Sequence, residues 1–145
     1  MKMTNKEYNE YIKKKAPKSK LVPNLLKAFI IGGLICCVGQ GFIELYKHFG
    51  ISERDAAALT TISLVFLGAF LTGIGVYDNL AKIGGAGTLV PITGFANSVV
   101  APALEFKSEG LVLGMSAKMF VIAGPVIVFG ISASVVYGLI LAIIK

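Results

Sequence analysis

The sequence is short of the residues on which most soluble enzymes depend. It contains no tryptophan and a single histidine, His48, among 145 residues. Ser–His–Asp and Cys–His arrangements need a positioned histidine, and His48 lies between two apolar segments without a second ligand at metal-binding spacing. We therefore predict that the chain is not an enzyme and holds neither a metal ion nor a cofactor.

Cysteine and charge are also scarce. Cys36 and Cys37 are adjacent within an apolar run, so they cannot join distant parts of the chain, and we interpret them as small packing residues. Charged residues make up 15% of the chain, whereas a soluble domain carries roughly 25%. Several apolar stretches reach the ~20 residues needed to cross a bilayer. The composition predicts an integral membrane protein.

Positive charge is concentrated at the N-terminus. Residues 1–27 hold eight lysines against two glutamates, a net charge of +6, while residues 28–145 balance six basic with six acidic side chains. By the positive-inside rule, the N-terminus of this multi-pass cell-membrane protein is cytoplasmic. Since anionic lipid adjoins such a tail, we expect it to contact membrane lipids and no nucleic acid.

The tail carries the pattern of an amphipathic helix over residues 4–15. Thr4 and Glu7 form a capping box, and three apolar side chains fall on one helix face, Tyr8, Tyr11 and Ile12. Such a helix lies on a membrane surface or docks a cytoplasmic partner; a loosely ordered tail that only sets topology is the alternative. We predict residues 1–23 as a cytoplasmic basic tail and 24–145 as the membrane domain.

Three segments are long enough for full spans, at about Asn24–Tyr46, Ala57–Tyr77 and Pro125–Ile144. In the first and last, small residues recur every four positions, a spacing that lets another helix approach closely. These predicted packing residues are Gly33, Cys37 and Gly41, and Gly130, Ser134 and Gly138. Because one chain has too few spans to enclose a wide path, the stripes favour assembly with like or sister chains.

Between the second and last spans the apolar sequence is interrupted. Two fourteen-residue runs, at 91–104 and 110–123, are short for a span. The residues expected to break helices here are Gly84, Gly85, Gly87, Pro91, Gly94 and Pro102. We predict an all-α integral membrane protein with about three full transmembrane helices and a broken re-entrant hairpin near 84–123. Four to five conventional spans is the alternative.

The interrupted segment also carries polar and charged side chains. Irregular backbone at membrane depth is tolerated only where it is buried in protein or lines a wet cavity, and a charge at the bilayer centre costs ~2.5–3.5 kcal/mol. We interpret the segment as a solute pathway; an aqueous loop, with Lys118 reaching the interface, is the alternative. The candidate pathway residues are Thr93, Asn97, Glu105, Lys107, Ser108, Glu109 and Lys118.

Several runs resemble a known family. They are GGLICCVGQG (32–41), TGIGVYDNL (72–80), GGAGTLVPITGFANS (84–98), EFKSEG (105–110) and GPVIVFG (124–130). Together they are similar to the stage V sporulation protein AC/AE membrane protein family of spore-forming bacteria, from Lys27 onwards. The lysine-rich tail and the EFKSEG run favour the AC branch.

The resemblance implies a function that composition and spacing do not. Members lie in the spore inner membrane and, with sister subunits of a hetero-oligomer, move dipicolinic acid as its calcium chelate into the developing spore and out at germination. The AC branch has also been regarded as a mechanosensitive channel. We therefore expect a channel-forming subunit; a non-conducting membrane adaptor that holds a cytoplasmic partner, or a tension-gated non-selective channel, is the alternative.

Overall fold

A computed structural model of the protein describes residues 4–16 and 19–144. Within these residues the chain forms helices joined by short turns and contains no strand. Three helices are long and apolar enough to cross a membrane, Leu21–His48, Glu53–Gly73 and Leu111–Ile144. This confirms the predicted fold class, an all-α membrane protein with three spanning helices.

Helix α1 spans Asn5–Lys15 and begins at the predicted capping box. The Thr4 backbone N–H donates to the Glu7 carboxylate at 2.9 Å, and the Glu7 N–H donates to the Thr4 hydroxyl at 3.4 Å. The helix ends at Lys15 because Ala16 adopts an extended conformation. The predicted tail helix is therefore present with its expected boundaries.

Helices α2 (Leu21–His48) and α3 (Glu53–Gly73) form the first hairpin. Helix α2 begins three residues before the predicted start, because Pro23 is tolerated in a first turn whose N–H groups have no helical acceptor. Its 28 residues extend over about 42 Å. The Tyr46 and Ser63 hydroxyls lie 2.6 Å apart and join the two helices.

The predicted end of the second span is wrong. The span was expected to reach Tyr77, but α3 ends at Gly73, and Gly75 adopts a left-handed conformation with φ 74°. Glycine reaches this conformation without steric cost, so the chain turns here into α4 (Val76–Gly84). Tyr77 consequently lies on α4.

The segment after α4 is broken into short helices, α5 (Ala86–Leu89) and α6 (Ile92–Glu105). The breaks occur at Gly85, with φ 49° and ψ −121°, and at Pro91, which is extended. Gly84 closes α4. Since α4, α5 and α6 are each shorter than the ~20 residues of a span, the interrupted segment is present as predicted.

Three predicted breaking residues lie inside helices instead. Gly87 is in α5, and Gly94 and Pro102 are in α6. A Cβ at Gly87 would collide with the Ala28 carbonyl, and one at Gly94 with the Thr88 carbonyl. These two glycines therefore permit close packing, and Pro102 near the end of α6 removes only one helical donor.

The predicted separation between residues 110–123 and the last span is also wrong. Six residues of π-helix, Leu111–Ser116, lead directly into α7 (Ala117–Ile144), with Pro125 inside the helix. Proline removes one N–H donor, and membrane helices tolerate this loss because the other backbone bonds persist. The second arm of the expected hairpin and the last span are thus one continuous helix.

Candidate functional site

A buried hydroxyl cluster lies where α4, α5 and α6 meet. Tyr77 is 2% exposed, and its hydroxyl lies 2.8 Å from both the Thr88 carbonyl and the Thr93 hydroxyl. Because a carbonyl can only accept, the phenol donates to Thr88 and accepts from Thr93. The cluster ties α4 to α5 and α6 across both breaks in the segment.

A second polar contact joins α3 to α6. The Thr72 hydroxyl lies 2.7 Å from the Gly68 carbonyl and 2.8 Å from the Asn97 side-chain amide. The hydroxyl has one proton, which is shared between two acceptors, the Gly68 carbonyl and the Asn97 side-chain oxygen, so Thr72 links the backbone of α3 to Asn97 on α6.

Close helix approach brings these groups together. A Cβ at Gly68 on α3 would lie 2.8 Å from the Thr93 carbonyl oxygen, so only glycine allows α6 to sit at this distance. Sequence reasoning identified Thr93 and Asn97 but missed Gly68, Thr72 and Tyr77. Their signal was weak, because hydroxyl groups within apolar helices commonly bond to their own helix.

The charged candidates lie together on an exposed turn after α6. Lys107–Glu109 forms a single 3₁₀ turn, and Gly110 (φ 96°) reverses the chain into the π-helix. Glu105, Ser108 and the other polar residues of this turn are exposed. No ion pair joins them within the described part of the chain, so their charged groups are available to a solute or to another chain.

Lys118 is held against this turn by an aromatic ring. Its ammonium lies 4.8 Å from the centroid of the Phe106 ring, a cation–π contact. Both residues, with Pro102, line a cavity of about 200 Å³. The structure thus joins Lys118 to the turn through Phe106.

The predicted pathway residues therefore fall into two groups. Thr93 and Asn97 lie inside the helix bundle, where they bond to Tyr77 and Thr72. The charged turn, residues 105–109, and Lys118 lie on its surface. Among the described residues, no hydrogen bond or ion pair links one group to the other.

The predicted packing stripes face away from the described helices. A Cβ added at Gly33, Gly41, Gly130 or Gly138 would meet nothing within 4 Å in the part of the chain that the structure describes. Cys37 is exposed, and Ser134 donates a hydrogen bond to the Gly130 carbonyl of its own helix. Their packing role stays a prediction about contacts between chains.

Little of the chain is buried, although it is long enough for a core. The buried hydrophobic residues among those described are Ala56, Tyr77, Ala96 and Ala123. Large side chains on every spanning helix are exposed, for example Phe29 at 78% and Phe129 at 75%. These surfaces need lipid or other chains to cover them.

The sequence from residue 24 to residue 140 matches the family described as SpoVAC/SpoVAEB sporulation membrane protein. The chain belongs to this family. Stage V sporulation protein AC of Bacillus subtilis (strain 168) is 48% identical to it over 141 residues, which cover 95% of this chain and 94% of that protein. No solved structure matches the chain. The predicted resemblance to this family is therefore confirmed. The chain, with its three helices long enough to span a membrane, is a sporulation membrane protein.

Proposed function

We propose that the protein is a channel-forming subunit of a spore inner-membrane complex that moves dipicolinic acid, with calcium, into the developing spore and out at germination. The observation that carries this proposal is the broken segment between two spanning helices, α4 to α6. Its irregular backbone is held by buried hydroxyl groups around Tyr77. Broken helices of this kind form the solute sites of many transporters.

The charged turn suits both parts of the solute. Dipicolinate is a dianion, which the ammonium groups of Lys107 and Lys118 attract. Calcium prefers carboxylate and carbonyl oxygens, which Glu105 and Glu109 supply. Side chains of both signs on one exposed turn can therefore pass a neutral chelate.

The route requires more than one chain. With four buried hydrophobic residues in the described part of the chain, a single copy does not enclose a wide path. Sister subunits of a hetero-oligomer complete it, and the small-residue stripes of α2 and α7 are candidate contact surfaces. The N-terminal tail, residues 1–23 with a net charge of +5, stays in the cytoplasm beside anionic lipid.

The test removes the charges of the turn together. A quadruple variant in a spore-forming host carries Glu105→Gln, Lys107→Met, Glu109→Gln and Lys118→Met. Dipicolinate content is measured in the mature spores, and we expect a several-fold drop. Unchanged accumulation would contradict the assignment of these residues to the route.

The control changes the same number of charges outside the membrane domain. It carries Glu7→Gln, Glu10→Gln, Lys13→Met and Lys15→Met in α1. Membrane abundance of both variants is measured by immunoblot, so that lost transport is distinguished from lost protein. We expect the control to retain dipicolinate accumulation.

A membrane adaptor is the second candidate, favoured by the free face of α1. Tyr8, Tyr11 and Ile12 are 56%, 47% and 43% exposed on one side of this helix. Deleting residues 1–20 separates the two functions, since an adaptor loses all function whereas a channel retains dipicolinate flux in reconstituted vesicles. Patch recording with and without dipicolinate distinguishes a selective path from a tension-gated, non-selective one.

A further inference from the structure

Helices α3 and α6 pack side by side and run in the same direction. A Cβ at Gly68 of α3 would lie 2.8 Å from the Thr93 carbonyl oxygen of α6. One turn further along α3, the Thr72 hydroxyl donates to the Asn97 side-chain oxygen at 2.8 Å. A step of four residues along α3 is thus matched by a step of four residues in the same sense along α6. Helix α6 therefore runs toward the membrane face at which α3 ends.

Helix α6 starts inside the bilayer and extends past the end of α3. Thr93 lies level with Gly68, and from Gly68 to its end at Gly73 helix α3 rises about 7.5 Å. From Thr93 to its end at Glu105, α6 rises about 18 Å. Glu105 consequently lies about 10 Å beyond the end of α3, measured along the helix axes.

Helix α2 shows which face of the membrane this is. A short turn makes α2 and α3 antiparallel, and Gly39 of α2 lies against Leu64 of α3. From this contact α3 continues for about 13.5 Å to Gly73, whereas α2 extends back for about 27 Å to Leu21. The start of α2 therefore lies about 13.5 Å beyond the end of α3, within about 3 Å of the level of Glu105.

Helices α4 and α5 lie against the half of α2 that is nearer its start. A Cβ at Gly84, which ends α4, would lie 2.9 Å from the Ile31 side chain, and one at Gly87 of α5 would collide with the Ala28 carbonyl. From the end of α3, the chain thus passes through α4 and α5 and returns along α6 to the same face. The three short helices form a re-entrant segment that does not cross the membrane.

Helix α7 then runs back in the opposite direction. The Lys118 ammonium near its start lies 4.8 Å from the centroid of the Phe106 ring, just after α6, and Val126 further along lines a cavity together with Phe95 near the start of α6. The 28 residues of α7 rise about 42 Å, which is enough to cross a bilayer. The chain therefore crosses the membrane three times, and α7 ends at the face opposite the start of α2.

We infer that the charged turn, residues 105–109, lies on the same membrane face as the N-terminal basic tail and is the cytoplasmic mouth of the solute route. Its position follows from the helix directions alone, whereas its role as a mouth rests on the proposed function. The positive-inside rule places the tail, and with it the turn, on the cytoplasmic side. Dipicolinate and calcium then meet Lys107 and Glu109 in water, and these charges avoid the bilayer centre, where each would be costly.

Single cysteines report the membrane face of each segment. The full-length chain first receives Cys36→Ala and Cys37→Ala, and one cysteine is then introduced at an exposed position. Ser19→Cys marks the face at which α2 starts, Arg54→Cys marks the face at which α3 starts, and Ser108→Cys probes the charged turn; all three positions are exposed. A membrane-impermeant maleimide is added to right-side-out and to inside-out membrane vesicles.

We expect the maleimide to label Ser108→Cys from the same side as Ser19→Cys, at least about tenfold faster than from the side that labels Arg54→Cys, because a thiol reacts only where water and reagent reach it. Labelling of Ser108→Cys together with Arg54→Cys, or from neither side, would overturn the inference. Ile144→Cys, at a residue 77% exposed near the end of α7, gives a second readout. It should follow Arg54→Cys, and labelling from the Ser19 side would indicate a fourth crossing and would also overturn the inference.

Dipicolinate flux separates the role of the turn from its position. The variants are reconstituted with the sister subunits in vesicles and treated with a bulky, impermeant maleimide on the tail face. We expect treatment to reduce dipicolinate flux several-fold in Ser108→Cys and to leave it unchanged in Ser19→Cys. Equal flux in the two treated variants would overturn the role as a mouth. Absence of flux from the untreated complex would instead refute the proposed function, while the labelling result still decides the position of the turn.

Discussion

Replacing Gly68 by alanine tests whether close packing of α3 on α6 holds the broken segment. The added Cβ would lie 2.8 Å from the Thr93 carbonyl oxygen and 3.2 Å from the Ala96 Cβ. The first distance is too short for a real contact, so the α6 backbone must move. Overpacking of this kind costs about 1–3 kcal/mol, while exchanging glycine for alanine within a helix returns about 0.5–1 kcal/mol. The two ranges combine to a net loss of about 0–2.5 kcal/mol in the free energy of unfolding, and we expect a value of about 1 kcal/mol.

Gly73→Ala is the matched control on the same helix. An added Cβ there meets nothing within 4 Å in the described part of the chain, so only the helix-propensity gain remains and the sign reverses. Reversible unfolding in mixed micelles, with increasing dodecyl sulfate and helix content followed by circular dichroism, measures both. If Gly68→Ala proves as stable as Gly73→Ala, the packing argument for α6 is wrong.

The other predictions concern the buried cluster, the tail and the charged turn. Tyr77→Phe leaves an α5 carbonyl without its donor and should lower the free energy of unfolding by about 1–2 kcal/mol in the same assay. Tyr137→Phe, at a residue 63% exposed, should change this free energy by less than about 0.5 kcal/mol. Equal values would contradict the assignment of the Tyr77 hydrogen bonds. The hydrogen bond from the Thr4 backbone N–H, and to a smaller extent the one from its hydroxyl, lower the pKa of Glu7. These bonds therefore stabilise α1 fully at pH values above the ordinary pKa of a glutamate carboxyl. The contribution is lost as the pH falls through the lowered pKa. Thr4→Ala should raise the pKa of Glu7 in an NMR titration, and an unchanged value would rule out the hydroxyl's part. Lys118→Arg should retain the dipicolinate flux that Lys118→Met loses. Similar flux in the two variants would show that the charge of Lys118 takes no part in the proposed route.

Local signals in the sequence predicted the structure well. The Thr4–Glu7 capping box needs only residues three apart, and it fixes the start of α1 as expected. The three spanning helices follow from length and apolar composition alone. The interrupted segment also follows, because Gly85 and Pro91 act through their own backbone dihedral angles and lost donor.

Features that depend on contacts between helices could not be predicted. Helix α2 has glycines at 32 and 39 and at 33 and 41, and spacing alone does not say which set faces inward. The structure places Gly32 and Gly39 against other helices. Pro125 is a separate case. The sequence predicts the start of a helix at this proline, but α7 continues through it, with helical residues on both sides.

The distribution of satisfied polar groups bears on the proposed transport function. Tyr77, Thr88 and Thr93 bond to one another inside the chain, so these hydrogen bonds stabilise the broken segment. The exposed charged side chains include those of the 105–109 turn, which form no ion pair within the described part of the chain. A solute route that uses them must run between chains. If the protein transports dipicolinate, its selectivity is therefore a property of subunit interfaces, and substitutions there should alter flux while leaving the unfolding free energy of the single chain nearly unchanged.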